Sequence, residues 1–296
     1  MCSCSSSFKS VFFKYYFIFV VGCFFSACRE VGPDINLGNN ENSFTDTSYV
    51  ELPPPSPESK RVVLEEFTGV QCVNCPAGHQ IIKTLSNTYG DKLIVVAYHT
   101  DFLGEPFSFS KEDMRTEAAR QIQDFLIFDG YKPAAAIDRY PFNQSQNSLL
   151  YNRNTWSSRV QQQIGKIPPV NLALEVKWEE VSRKITVGAE LRYTSNISGK
   201  QRLTLLLTED SIITPQLNVG NVIDTFYQHQ HIQRIFISNI TGDDINYPTE
   251  AGRVIKKYYQ SIVPEKINIR KAHIVGFVHR YLDSKEILQG AIAKIP

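Results

Sequence analysis

Charge of one sign is what this chain most lacks: 31 Lys and Arg meet 30 Asp and Glu over 296 residues, a formal net charge of +1 at pH 7. Without a basic excess to engage phosphates, a general nucleic-acid binder is excluded. Long hydrophobic runs are missing too. The most apolar stretch, residues 15–25, is about half the roughly 20 residues that a spanning helix needs. No Gly-rich phosphate loop and no G-x-S-x-G elbow occur. Cysteine is scarce, six in all, and C-x-x-C occurs once, at Cys72 and Cys75. No second pair is left to complete a four-ligand zinc site. What the chain does have is apolar content for cores, 42%, and a length that suits two domains. Its 11% aromatic share suits a β-rich or exported protein.

The first residues read as an export signal, with Lys9 and Lys14 ahead of the apolar run. The run closes on Phe25-Ser26-Ala27-Cys28, which resembles the lipobox cut by bacterial lipoprotein signal peptidase. Phe25 stands where that pattern usually has Leu. On this reading residues 1–28 hold the signal and the lipidation residue, Cys28. Plain secretion with a free Cys28 is the alternative. Cys2, Cys4 and Cys23 would leave with the signal and Cys28 would carry lipid, so only Cys72 and Cys75 would remain as free thiols, in a compartment where disulfides persist. Arg29 and Glu30 give no clear inner-membrane retention signal, so the outer membrane is the expected location, with the side it faces left open.

Residues 29–60 are polar and broken by Pro53-Pro54-Pro55-Ser56-Pro57, and read as a disordered tether. Residues 61–166 alternate strand and helix patterns. Val62–Phe67 reads as a buried strand leading into the cysteine loop, and Leu93–Tyr98 is a continuous apolar run fit for a strand buried on both faces. Helices are expected over Cys72–Thr88, stopped by Gly90, from a Ser110-x-x-Asp113 cap signature to Phe125, and over Thr155–Ile164. Ala134–Asp138 is a short strand. After Pro169 short alternating strands take over, which predicts an antiparallel, Ig-like β-sandwich over residues 167–296. The expected fold class is thus an α/β domain followed by a β-sandwich domain.

Two thiols three residues apart at a helix start can close into a disulfide, and the first sits where the helix dipole favours a thiolate. An inert structural disulfide is an equally plain use of the pair. A zinc half-site with His79 lacks its remaining ligands. His229 and His231, alternating in a strand, would share one face, where a packing role outweighs a metal role. His99, at the end of a buried strand, lies where α/β sheets place their sites. Glu112, Asp113 and Glu117 read as helix-surface charges.

The order strand, C-x-x-C at a helix start, then proline before a strand resembles the thioredoxin fold, over roughly residues 61–164. The resemblance implies that Cys72 is the attacking thiol and Cys75 the resolver. Glu66 matches the family's buried acid, and Pro133 its cis-proline. Gln71 replaces the usual Trp before the first cysteine, and Val73-Asn74 replaces the usual Gly-Pro or Pro-His, so no cation stands between the thiols. Lys132, beside Pro133, would supply one if its ammonium reached Cys72.

More narrowly, Glu65-Glu66-Phe67-Thr68-Gly69 running into Cys72, then Pro133–Arg139 and His229–Arg234, resemble the outer-membrane-protein-28-related lipoproteins of Gram-negative bacteria. That family implies a thioredoxin-like domain before a β-sandwich at the outer membrane. Two functions follow. One is thiol–disulfide exchange or redox sensing on envelope or surface proteins, with the chain held to the membrane by lipid on Cys28. The other is a non-enzymatic surface-binding, adhesion or envelope-assembly module, with Cys72–Cys75 as a static clamp. Neither calls for a cofactor, a metal or nucleic acid.

Overall fold

The computed structural model describes residues 45–128, 130–143, 147–282 and 284–296. The expected signal, the lipidation residue Cys28 and the tether up to residue 44 lie outside these residues. The end of the expected tether is not free chain. Thr47–Val50 forms β1 and pairs antiparallel with Arg253–Lys256, far along the sequence.

The two expected buried strands become Val62–Thr68 (β2) and Leu93–His99 (β3), parallel neighbours in which every residue is buried. Between them Cys75–Tyr89 (α1) turns Cys75, Gly78, Ile82 and Leu85 inward at helical spacing and stops at Gly90, whose φ is 52°. Glu117–Phe125 (α2), Ala134–Ile137 (β4), Tyr151–Asn152 (β5) and Trp156–Ile164 (α3) follow. Strand β4 runs antiparallel to β2.

Two helix starts differ from expectation. α1 begins at Cys75, because Cys72–Asn74 form a turn closed by the Cys75 N–H on the Cys72 carbonyl, 3.1 Å. α2 begins after Thr116, whose Oγ1 accepts from the Ala119 N–H at 3.0 Å. Asp113 is instead spent on the Arg115 N–H and guanidinium, which fixes the preceding segment as loop.

Beyond Pro169 the chain is nearly all strand. Val170–Glu179 (β6), Lys184–Tyr193 (β7) and Gln201–Glu209 (β8) come first. Then come the short Ile212–Ile213 (β9), Gln216–Asn218 (β10), Val222–Asp224 (β11), Gln228–His229 (β12), Ile232–Phe236 (β13) and Asp243–Asp244 (β14). Arg253–Ile262 (β15), Ala272–Arg280 (β16) and Ile287–Lys294 (β17) complete the set. β1, β15, β7 and β6 form one sheet. Its Leu172, Ile185, Leu191 and Ile255 share a core with Leu203, Leu205, Ile274 and Val278 of β8 and β16. This is the face-to-face arrangement of a β-sandwich.

The expected boundary at 166–167 does not separate two sheets. β8, β16 and β17 belong to a nine-stranded sheet, among the described residues, ordered β17-β16-β8-β13-β3-β2-β4-β5 with β14 on β8. β13 lies antiparallel to β8 and meets β3 in parallel at Ile232 and Ala97, where the Ala97 N–H bonds the His231 carbonyl at 2.8 Å. Left as an edge, β3 would expose a row of unpaired backbone groups. The later segment covers it. A second core accordingly mixes Phe67, Val96 and Tyr98 with Leu206, Val275 and Phe277, and the described residues make one compact unit. The molecule is therefore mostly β-sheet with few helices.

Candidate functional site

Residues alternate across β2, so Glu65 and Glu66 leave it on opposite faces. Glu65 meets the Arg139 guanidinium in a two-pronged pair of 2.6 and 2.7 Å, with both side chains fully buried. Glu66 faces α1, is 2% exposed, and its Oε1 has no hydrogen-bond partner. With nothing to stabilise the carboxylate, burial pushes its pKa up to about 8. Glu66 is therefore a neutral acid at pH 7.

Cys72 and Cys75 are joined in a disulfide with a Cα–Cα distance of 5.3 Å. Cys75 opens α1 on its inward face, one turn before Gly78. A Cβ at Gly78 would lie 3.0 Å from the Pro133 ring and 3.2 Å from Glu66 Oε1. Only glycine lets both groups approach the first turn this closely. The Lys132–Pro133 peptide is cis. The sequence-predicted Cys75, Glu66 and Pro133 are thus gathered at one helix start, and Cys72 is linked to them through the disulfide.

Cys72 itself is only 3% exposed and Cys75 is wholly buried. A two-stranded ribbon, β10–β11, lies against the cysteine loop: the Leu217 N–H donates to the Val70 carbonyl at 2.8 Å. The Gln216 amide donates to the carbonyls of Gly69 and Cys72, at 3.3 and 3.2 Å. Lys132 does not serve Cys72. Its ammonium is taken by the Thr100 carbonyl and hydroxyl, both 2.6 Å, and by Asp101 at 3.2 Å. The cation on the cysteine loop is Arg153, which donates to the Asn74 carbonyl.

Beside Glu66 lies a cavity of about 490 Å³ lined by four histidines and Tyr227. His79 Nε2 is 3.0 Å from Thr68 Oγ1 and 3.5 Å from Glu66 Oε1, and its Nδ1 is 2.7 Å from the Tyr227 hydroxyl. Burial, then the neighbouring His229 and His231, pull the His79 pKa down to about 3. The His79–Glu66 contact at pH 7 is therefore between two neutral groups and is not an ion pair. His229 donates from Nε2 to the Thr214 carbonyl at 3.2 Å, which leaves its Nδ1 a bare acceptor without a partner. Burial holds its pKa down at about 4. His99, packed edge-on 5.4 Å from His229, has neither ring nitrogen bonded.

His229 and His231 both line this cavity, but regular strand alternation does not place them there. His231 has φ 60°, which breaks the strand period, and its Nδ1 turns to Asp210 at 3.3 Å. The zinc half-site reading also loses its donors, since both sulfurs are in the disulfide and His79 is held by Thr68 and Tyr227. Among the described residues no three or more His, Cys, Asp or Glu converge as metal ligands. Sequence reasoning missed Tyr227 and Gln216, which reach the site from 148 and 144 residues away. Nothing local announces such contacts.

Fold and site define a β-rich protein in which one continuous sheet carries a C-x-x-C disulfide, a buried neutral acid and a histidine-lined cavity. The chain belongs to the outer membrane protein Omp28 family, whose model matches residues 129–295. It is accordingly an outer-membrane protein. No helix among the described residues is long and apolar enough to cross a membrane. The matched region includes Pro133, Tyr227 and His229 and excludes the cysteines, Glu66 and His79. No curated protein matches the sequence. Among solved structures, HBP35 of Porphyromonas gingivalis is similar with a TM-score of 0.63 at 16% identity, over 81% of this chain and 77% of that one. Such a likeness shows a shared fold. A domain of the outer membrane lipoprotein Omp28 from the same organism aligns over 44% of this chain and 90% of its own, at 18% identity and a TM-score of 0.31. A protein from Agrobacterium tumefaciens aligns over 79% and 94%, at 12% identity and a TM-score of 0.47.

Proposed function

We propose that this protein exchanges thiols and disulfides with envelope proteins through a thioredoxin-like site, tethered by lipid on Cys28. The observation that carries the reading is Glu66. A buried carboxyl whose Oε1 makes no hydrogen bond costs stability, so its position against Gly78, one helical turn after Cys75, is best explained by proton transfer to that thiol. The β2-α1-β3 unit with antiparallel β4 supports the thioredoxin-like comparison.

In the reductive direction a partner thiolate attacks Cys72 Sγ. The Sγ–Sγ bond breaks, the electron pair passes to Cys75 Sγ, and Glu66 supplies its proton. A second partner thiol then displaces Cys72, leaving the partner oxidised and the pair reduced. Access to Cys72 requires the β10–β11 ribbon to lift. Its two strands pair only with each other, few hydrogen bonds fasten it to the loop, and a lone two-stranded ribbon is marginal in water, which suits an element that yields to a partner.

The burial of Cys72 favours the second reading, a static clamp within a surface-binding or assembly module. One experiment decides between them. In the full chain, the Cys72–Cys75 potential is measured and partners are trapped with Cys75→Ser. Exchange predicts a potential in the range of about −120 to −270 mV and captured mixed disulfides. A potential below about −300 mV with no captured partner establishes the clamp.

A further inference from the structure

We infer that His79 and Tyr227 form a proton outlet for Glu66, connecting it to the histidine-lined cavity and, through Glu66, serving Cys75. The inference rests on the exchange reading and adds to it where the protons travel. The need is physical. Cys75 and Glu66 are both buried, so once Glu66 has given its proton to the Cys75 thiolate, a carboxylate is stranded away from water. Such a site strongly favours the neutral acid, and turnover waits on its reprotonation.

The route is laid out in distances. His79 Nε2 lies 3.5 Å from Glu66 Oε1, and His79 Nδ1 lies 2.7 Å from the Tyr227 hydroxyl. Glu66, His79 and the half-buried Tyr227 all line the cavity of about 490 Å³. An imidazole can accept a proton at one nitrogen while releasing one at the other. Thr68 Oγ1, 3.0 Å from Nε2, fixes the ring with that nitrogen toward Glu66.

The groups facing the path keep it uncharged. His229 and His231 disfavour an imidazolium at His79. Burial, then Glu66 and Asp224, raise the Tyr227 phenol to about 12. His99, held neutral by burial with His229, His79, Lys132 and Arg234 around it, adds no carboxylate, and Lys83 is the cation on the cavity wall from α1. Neither relay residue therefore stores the proton. Cavity water gives a proton to Tyr227 Oη as Tyr227 gives its own to His79 Nδ1, and the Nε2 proton passes to the Glu66 carboxylate. Hydroxide is left in the cavity, to be neutralised by solvent. In the oxidative direction the same atoms carry the Cys75 proton outward. His79 and Tyr227 are thus positioning residues that act through Glu66.

The test compares the full chain with its Tyr227→Phe and His79→Gln variants. Reduction by dithiothreitol is followed by rapid acid quench and alkylation from pH 5.5 to 9, with and without added imidazole, alongside the equilibrium potential of each form. The outlet predicts reduction slowed about tenfold near pH 7 in both variants, an altered pH profile, an unchanged potential, and recovery of rate with imidazole. Variants that match the wild type at every pH overturn it. So does a slowing that is the same at all pH values and indifferent to imidazole, because that marks a disturbed loop. If the wild-type disulfide itself resists dithiothreitol in the folded state, the exchange reading falls and the outlet falls with it. A wild type that reacts beside unaffected variants removes the outlet alone.

Discussion

At the residue scale, the two adjacent glutamates of β2 show how one step along a strand changes the chemistry of a side chain. Glu65 is charge-paired with Arg139 and also accepts from the Tyr98 hydroxyl at 3.1 Å. Arg139 in turn stacks 4.9 Å from the centre of the Phe277 ring, which links this pair to the sandwich half. Removing the cation leaves a buried charge without its partner. Arg139→Met is expected to cost about 3–5 kcal/mol, and adding Glu65→Gln to it should recover much of the loss, both read from urea unfolding. An unperturbed Arg139→Met would mean that the pair is solvated in solution. Gly78 makes a second test. Glycine to alanine in a helix ordinarily gains about 1 kcal/mol. Here the new methyl meets the Pro133 ring and Glu66 at 3.0 and 3.2 Å, so Gly78→Ala should instead lose about 1 kcal/mol. A more stable Gly78→Ala protein would show that the helix start can shift away from Pro133.

At the element scale, the β10–β11 ribbon is the part whose removal from the cysteine loop the exchange reading requires. Few bonds fasten it there: one from the Leu217 N–H and two from the Gln216 amide. Gln216→Ala should weaken that hold by about 1 kcal/mol, so dithiothreitol should reduce the disulfide roughly fivefold faster and the Leu217 amide should exchange sooner. Equal reduction rates would show that the ribbon does not limit access. Elements built by local pattern were legible in the sequence: β2 from its apolar residues ahead of the cysteine loop, β3 from an unbroken apolar run, α1 from its inward stripe and Gly90, and β6, β7, β8, β16 and β17 from alternation. The start of α2 was misread because Ser110-x-x-Asp113 mimics a cap whose Asp is spent on Arg115. The ribbon was not legible at all, since its three-residue strands carry no period and its purpose is set by contacts with a loop more than a hundred residues earlier. Of the site, Cys72, Cys75, Glu66 and Pro133 could be picked out because their spacing around strand and helix ends is local. The Tyr227–His79 contact depends on tertiary placement.

At the scale of the whole molecule, the continuous sheet escaped the sequence because its joining strand is disguised. β13 reads Ile232-Gln233-Arg234-Ile235-Phe236, and its first three residues are buried although two are polar. Gln233 accepts from the Thr116 hydroxyl at 2.6 Å and Arg234 pairs with Glu112 at 2.6 Å, so residues that read as solvent-facing find partners across the joint. Burial of ionisable groups on both sides of that joint also shapes the stability of the folded chain against pH. His79 and His279 are held at about 3 and His229 at about 4, all below their ordinary 6.5. Between about pH 4 and 6.5 the unfolded chain binds protons that these imidazoles refuse in the native state, so stability rises with pH there. Glu66 acts with the opposite sign. Its native value near 8 exceeds its ordinary 4.5, so from pH 4.5 to 8 the native state holds a proton that the unfolded state has released, and stability falls with pH. These histidines, with His99 and His231 lowered in the same direction, outweigh Glu66 below 6.5, and above it the Glu66 effect dominates. Unfolding free energy should therefore peak near pH 6.5 and decline by about 2 kcal/mol toward pH 8. Glu66→Gln should remove the alkaline decline, raise stability at pH 7 by about 3 kcal/mol and leave the acid limb in place. Urea titrations of both proteins from pH 4 to 9 measure this directly. Parallel curves for the two would show that Glu66 is ionised in the native state at neutral pH, and with that result the neutral acid beside Cys75, on which the exchange reading is built, is gone.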